Sequence, residues 1–242
     1  MKKPFIFGHR GAMGYEIENT MASFDKAVEF NVGLETDVQL TKDNYLICFH
    51  DPYFQILDNW YVVKEMTLEE IRRIKFNDNR IIPTLDDVFQ KYKSNSLRYS
   101  IDIANRNTGY RVIDLAKKYN ILDEIEITDL RMRVLAQLRK YNNEVKLVHT
   151  LPFNIRKISK RNLNFKDLVE KNIHAVNLKN ERTRDKDNFK IIIENGLKCY
   201  VWGVNSKFRM KRVLKLNYKN AIVDAIYTDY PDVLLKFRDQ FY

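Results

Sequence analysis

Two carboxylates stand two residues apart in Gly33-Leu34-Glu35-Thr36-Asp37-Val38, a run that reads as a β-strand. Residues i and i+2 of a strand share a face, so Glu35 and Asp37 point the same way. On a buried face two such charges repel and resist desolvation unless a cation or a Lys/Arg partner neutralises them. A divalent ion with oxygen ligands meets that demand, whereas a solvent-facing pair on an edge strand escapes it. Residues 33–50 read as strand–turn–strand with Lys42-Asp43 at the tip. A hairpin symmetric about that pair sets Asp37 opposite Cys48 and Glu35 opposite His50, with Cβ atoms about 5 Å apart. An imidazole facing the carboxylates favours the metal over the exposed pair.

The first apolar run ends in Gly8-His9-Arg10-Gly11. A His–Arg pair at the end of a strand suits an anionic substrate, with Arg10 forking onto phosphate or carboxylate oxygens and His9 moving a proton. A structural histidine in a glycine-rich turn is the alternative. Asp102, flanked by Ile101 and Ile103 near the end of another strand, needs a partner, and service as a third metal ligand supplies one. His149 and His174 read as a structural histidine and a loop residue. Cys48 and Cys199 lie inside apolar runs, as buried thiols do, and lack the spacing of a disulfide framework or metal site.

These groups need a scaffold, and the order of elements suggests one. Strands are expected at 4–8, 33–40, 45–49, 98–104, 124–128, 145–150, 175–179, 198–204 and 224–228. Helices are expected at 20–31, 67–75, 84–93, 110–120, 131–141, 185–195, 206–217 and 231–239, with a short extra one at 165–172. No Gly/Ser linker divides the chain, so the 242 residues read as one domain of alternating strands and crossover helices. Setting aside the hairpin's second arm leaves eight strands, the number of a closed (β/α)8 barrel, whose strand C-termini collect catalytic groups. An open doubly wound sheet is the alternative.

Composition narrows the function classes. Hydrophobic residues make up 45% of the chain, enough for a core, and no apolar run approaches the roughly 18 residues of a membrane span. The start, MKKPFIFGHRG, lacks a signal-peptide core, so the chain is expected to begin where the sequence does and to reside in the cytoplasm. Forty-two Lys+Arg against 32 Asp+Glu give a net charge of +10, compatible with phosphorylated substrates, anionic lipid or nucleic acid. No basic block stands apart from the periodic segments, which argues against a nucleic-acid partner.

The stretch HRGAMGYEIENTMASFDKAVEFNVGLETDVQLTKDNYLICFHD resembles the start of glycerophosphodiester phosphodiesterases, with HRG, ENT, SF, E-x-D-V, T-K-D and H-D in order. IPTLDDVF at 82–89, VWGVN at 201–205 and IYTDYPD at 226–232 extend the resemblance through the chain. It implies a TIM barrel that hydrolyses glycerophosphodiesters such as glycerophosphocholine to an alcohol and glycerol phosphate. By resemblance His9 and His50 are an acid/base pair, and Glu35 and Asp37 hold a divalent metal, joined by Asp102. Mg²⁺ and Ca²⁺ are the expected ions, with Mn²⁺ next. Arg10 contacts phosphate, and Glu18 and Asn19 line the same mouth. The fit loosens mid-chain: the family's I-E-x-K is here Ile101-Asp102-Ile103-Ala104, so its lysine is absent, and its Ser-Phe is Thr128-Asp129.

Lys179, ending the strand AVNLK, is the cation proposed to make up for that lysine. Trp202 offers either an apolar wall for a glycerol or lipid moiety or plain barrel packing. The family's insertion falls at about 51–80, where Tyr53, Phe54, Ile56, Leu57, Trp60, Tyr61 and Val62 either hold an acyl chain and touch a bilayer or pack beneath a small lid. The partner is therefore a small glycerophosphodiester or a lysolipid. A lysophospholipase D at membranes and a non-catalytic phosphodiester-binding barrel are the alternatives.

Overall fold

The computed structural model describes residues 2–93 and 97–242. In chain order the elements are β1 (Phe5–Gly8), α1 (Met21–Glu29), β2 (Gly33–Leu40), β3 (Leu46–Cys48), β4 (Tyr53–Ile56), β5 (Asn59–Val62), α2 (Leu68–Arg73), α3 (Leu85–Tyr92), β6 (Tyr99–Ile103) and α4 (Arg106–Lys118). They continue with β7 (Ile125–Asp129), α5 (Met132–Tyr141), β8 (Lys146–Thr150), α6 (Phe165–Glu170), β9 (Ala175–Lys179), α7 (Lys186–Glu194), β10 (Lys198–Trp202), α8 (Lys207–Leu214), β11 (Asn217–Tyr218), β12 (Ala221–Ile222), β13 (Ala225–Thr228) and α9 (Pro231–Phe241). Eight strands pair in parallel in the order β1-β2-β6-β7-β8-β9-β10-β13, and β13 pairs back with β1. The sheet is closed, so the barrel holds and the open alternative falls.

Strand alternation divides the side chains between two environments. Leu34, Val38, Ile101, Ile127, Val176 and Ile226 face outward and are buried with the apolar faces of the helices, including Phe24, Leu85, Phe89 and Val112. Helices α1 and α3 begin where sequence chemistry says they should, at Thr20 and Thr84, each closing a reciprocal capping box with the residue three positions on. Inward-facing residues fill the lumen in layers. At the bottom, the fully buried Glu126 carboxylate meets Arg98, whose guanidinium lies 4.1 Å from the Phe5 ring centroid. Above it, Ser100 and Tyr227 exchange a 3.0 Å hydrogen bond. The next layer up carries Asp37 beside Asp102, and Asp102 beside Thr128, as direct register neighbours.

The β2–β3 hairpin forms, but in a register one residue away from the expected one. Val38 pairs with Cys48, Gln39 with Ile47 and Leu40 with Leu46. The tip is wider than Lys42-Asp43, because Thr41 and Tyr45 close it and Asn44 takes a left-handed conformation at φ 65°. A three-residue loop of that kind ends on such a residue. One extra residue slides every pair, so Asp37 is not opposite Cys48 and Glu35 is not opposite His50. His50 instead lies past the end of β3, where its carbonyl accepts from the Gln39 side chain at 2.8 Å.

Within 51–80 the aromatic cluster divides by alternation along the β4–β5 hairpin. Phe54 and Val63 join Phe49, Leu68, Ile71 and Ile82 in a small separate core, with Tyr61 and Ile56 packed on it. Tyr53, Leu57 and Trp60 face the other way and are exposed. Helix α4 begins four residues before its expected start, because the Asn105 side chain accepts from the backbone N–H groups of Asn107 and Thr108. Among the described residues no helix is long and apolar enough to cross a membrane.

The lumen's lowest layer gives a stability test. Arg98→Met leaves the buried Glu126 carboxylate without its cation and is expected to cost about 3 kcal/mol. Adding Glu126→Gln should recover most of the loss in urea unfolding. An unchanged midpoint for the single variant would mean that the pair carries no stability.

Candidate active site

The turn after β1 is built tightly. The His9 backbone N–H donates to Thr228 O at the end of β13, and the Gly11 N–H to Glu35 O on β2. A Cβ on Gly8 would lie 2.5 Å from Gly11 O, and one on Gly11 would lie 2.5 Å from Ser23. Between these glycines Arg10 sits at φ 50°, a left-handed conformation that costs a non-glycine residue of order 1 kcal/mol or more. The result is that the Arg10 backbone N–H donates to Glu35 Oε2 at 2.7 Å while its side chain swings back to the carboxylates.

Glu35, Asp37 and Asp102 each present an oxygen such that all three lie within 4.8 Å of one another. Each carboxylate also has one oxygen tied by the protein. Glu35 Oε2 takes the Arg10 N–H, and Asp37 Oδ2 takes Asn19 Nδ2 at 3.1 Å with Arg10 Nε also 3.1 Å away. Asp102 Oδ1 takes the Thr128 hydroxyl. Their other oxygens have no protein donor among the described residues, which is the donor set of a hard divalent cation with oriented ligands. Without a cation Glu35 and Asp102 hold protons: burial, aided by Asp37 and Asp102, pushes Glu35 up to about 8, and burial with Asp37 pushes Asp102 up to about 7. The residues fit a metal ion, and the cluster can hold one.

Both candidate imidazoles are oriented through Nδ1. His9 Nδ1 donates to Asp229 Oδ1 at 2.8 Å, and Asn205 Nδ2 donates to the other oxygen of Asp229. Burial works against the His9 imidazolium, but the Asp229 hydrogen bond and the Glu35 charge outweigh it, so its pKa is raised. His50 Nδ1 donates to Asp51 Oδ1 at 2.8 Å. Both histidines line one cavity of about 300 Å³ at the C-terminal mouth of the barrel, together with Arg10, Glu35, Asp37 and Asp102. Ser100 and Tyr227 form its floor, while Phe153 and Trp202 stand on one side with ring centroids 6.0 Å apart. Asn177 Oδ1 and Thr150 Oγ1, also in the lining, are buried without a hydrogen-bond partner among the described residues.

Other expected site residues stand further back. Glu18 takes Arg10 Nη1 at 2.6 Å, and Asn19 is buried with its amide divided between Asp37 and the Thr36 hydroxyl. Neither is in the cavity wall; they position Arg10 and Asp37. Lys179 is also outside the wall, its ammonium 5.4 Å from the Trp202 ring centroid and 3.9 Å from Glu181. Ala104 does line the cavity, beside Asp102. Cys48 is buried, and burial pushes its thiol up to about 12.

Sequence reasoning gave no role to Asp229, Asn205, Asn177 or Arg131. Asp229 and Asn205 lie inside IYTDYPD and VWGVN, so the motifs were visible but their link to His9 was not. Arg131 reads as the start of a helix, and nothing local marks it as lining a site.

A closed parallel barrel with this mouth defines a TIM-barrel enzyme. The chain matches the glycerophosphoryl diester phosphodiesterase family over residues 9–233. YhdW of Bacillus subtilis (strain 168) is 32% identical across 96% of this chain and 97% of its own. A glycerophosphodiester phosphodiesterase of Caldanaerobacter subterraneus subsp. tengcongensis is 29% identical across 96% and 97%. The solved glycerophosphodiester phosphodiesterase of Thermotoga maritima superposes with a TM-score of 0.82 at 20% identity, covering 98% of this chain and 100% of that one. The chain belongs to the glycerophosphoryl diester phosphodiesterase family and is a phosphoric diester hydrolase.

The carboxylate cluster fixes a pH dependence. In the unfolded chain these groups lose their protons near 4.5 and 3.8, whereas the folded, metal-free chain keeps them to about 8 and 7. Across that window the folded state binds more protons than the unfolded one, so stability falls as pH rises. In EDTA the melting temperature should therefore drop between about pH 5 and about pH 8.5. Excess Mg²⁺ should raise it most at the upper end, where no proton competes. A melting temperature indifferent to both variables would mean that the carboxylates are neutralised from within the protein.

Proposed function

We propose that the protein hydrolyses glycerophosphodiesters to an alcohol and glycerol phosphate with His9 and His50 as acid and base. The observation that carries this reading is the meeting of two Nδ1-anchored imidazoles and three carboxylates around one cavity. With Nδ1 of each ring committed to an aspartate, Nε2 is left to exchange a proton with substrate. His9, whose proton is retained by Asp229 and Glu35, suits protonation of the leaving alkoxide. His50 takes the proton of the attacking hydroxyl, either from water, giving glycerol phosphate directly, or from the substrate's own 2-hydroxyl, giving a cyclic phosphate that a water must then open to glycerol phosphate. Arg10 donates to a phosphoryl oxygen, and the orphaned Asn177 and Thr150 oxygens accept from glycerol hydroxyls. Glu35, Asp37 and Asp102 hold a divalent ion, Mg²⁺ or Ca²⁺ ahead of Mn²⁺, which supplies Lewis-acid stabilisation of phosphoryl charge.

A second reading, a lysophospholipase D acting on single-chain lipids at a membrane surface, draws on the hairpin beyond His50. Tyr53, Leu57 and Trp60 expose 51%, 80% and 62% of their surface there, a patch suited to an acyl chain or bilayer edge.

Alcohol release from glycerophosphodiesters and lysophospholipids, with EDTA or with added Mg²⁺, Ca²⁺ or Mn²⁺, tests both readings. EDTA should abolish turnover, and His9→Ala and His50→Ala should each lower kcat at least about 10²-fold while circular dichroism stays unchanged. Near-wild-type turnover in either variant would remove the two-histidine assignment. A strong preference for lysolipids that Trp60→Ser abolishes would favour the second reading.

A further inference from the structure

The cation missing at position 104 has a structural replacement on the neighbouring strand. Arg131 follows β7 by two residues and lines the same cavity as Asp102, Ala104, His9 and His50. Its guanidinium is held side-on by Asp129, with Nε to Oδ1 at 2.9 Å and Nη2 to Oδ2 at 2.6 Å. The Arg131 backbone N–H donates to Asp129 Oδ1 as well, at 2.6 Å. The carboxylate that makes this fork is almost fully buried, with 1% of its side chain exposed, whereas the Arg131 side chain is 44% exposed. Arg131 Nη2 also donates to Ala104 O at 2.9 Å, which sets the guanidinium over the residue that carries only a methyl group.

Two of the departures from the family pattern thus meet in one device. Asp129, in place of the second residue of the family's Ser-Phe, clamps Arg131, and Arg131 lies over Ala104, in place of the family's lysine. Three of the guanidinium's five N–H groups are oriented by the protein contacts of Nε and Nη2. Nη1 has no hydrogen-bond partner among the described residues, so its two N–H groups remain for a ligand. The charge is secured by the Asp129 hydrogen bonds and by the nearby Asp102 carboxylate. A planar fork fixed on one edge is suited to phosphoryl oxygens, and little side-chain entropy remains to be lost when it binds.

We propose that Arg131, clamped by Asp129, is a phosphoryl-binding residue of this enzyme and supplies the positive charge that position 104 lacks. The proposal deepens the glycerophosphodiesterase reading and rests on it. It makes Arg10 and Arg131 a pair from different strands, one entering from the turn after β1 and one from the turn after β7. A merely structural role is the competing account, since Arg131 also ties the end of β6 to the end of β7 through Ala104 O.

The test uses sn-glycerol 3-phosphate binding by calorimetry alongside hydrolysis of glycerophosphocholine. Arg131→Ala alone would strand the buried Asp129 charge, so the variant is Asp129→Asn/Arg131→Ala, to which Ala104→Lys is then added. The double variant should bind sn-glycerol 3-phosphate at least about 10-fold more weakly and raise KM by a similar factor, about 1.4 kcal/mol. Ala104→Lys should recover at least about a third of the lost affinity, because it returns an ammonium to the same side of the cavity. A folded double variant that binds sn-glycerol 3-phosphate within about twofold of wild type would overturn the proposal, even if kcat fell, since Arg131 would then act only through β6. Wild-type protein that turns over no glycerophosphodiester would defeat the functional reading instead, and the binding arm would still decide whether Arg131 contacts phosphate.

Discussion

Three carboxylates within 4.8 Å of one another at the mouth of a barrel are the constraint on which the rest of this site depends. At an effective dielectric constant of about 20, two unit charges about 4 Å apart repel by about 4 kcal/mol, so three ionised groups cannot sit there unassisted. The chain does not relieve the repulsion by spreading them out. Parallel register between β2 and β6 forces Asp37 next to Asp102, and strand alternation forces Glu35 onto the same face. It also uses the first available donors, the Arg10 N–H, Asn19 and Thr128, to hold one oxygen of each group in place rather than to cancel its charge. A cluster so oriented and so poorly compensated is stable only with protons or with a cation.

The turn after β1 serves the same end. Arg10 is held in a left-handed conformation so that one residue does two jobs: its N–H binds Glu35 while its guanidinium lies against Asp37 and Glu18. The strain is offset by packing that only glycine permits on either side and by the Ser23 hydroxyl, which donates to Arg10 O at 2.9 Å. Asn19, also at positive φ, carries the same economy further, since one buried amide steadies both Asp37 and Thr36. The residues of ENT therefore matter through Arg10 and Asp37, not as a wall of the cavity.

Much of this was legible in the sequence wherever the signal was local and periodic. The span of β2 and of β9 falls on the expected residues, and the E-x-D pair faces one way because a strand has a period of two. Asp102 could be placed inward because its isoleucine neighbours had to go outward. What failed were matters set by one residue's backbone or by contacts far apart in the chain. Asn44 in a left-handed conformation adds a residue to the hairpin loop and slides its register, a change invisible to a symmetric reading of the tip. Asn105 starts α4 early by capping it, although the apolar periodicity begins later. The His9–Asp229 pair spans 220 residues and closes only because β13 returns to β1.

The lumen also explains where an uncompensated charge can live in such a barrel. Along β6 and its neighbours the inward positions run from Arg98 against Glu126, through Ser100 against Tyr227, to Asp102 beside Asp37, and end at Ala104. At the bottom, enclosed by Phe5, Phe7 and Tyr200, a buried carboxylate has its own arginine because nothing from solvent can reach it. One layer up, neutral hydroxyls separate the two charged layers. At the top the Arg10 guanidinium lies against Asp37 alone of the three carboxylates, and the cluster faces a cavity open to ions and substrate. Position 104 lies above that layer, at the rim, where a strand-borne lysine is one solution and a clamped arginine from the adjacent strand is another. The barrel fixes the depth at which a cation is needed, and it leaves open which strand delivers it.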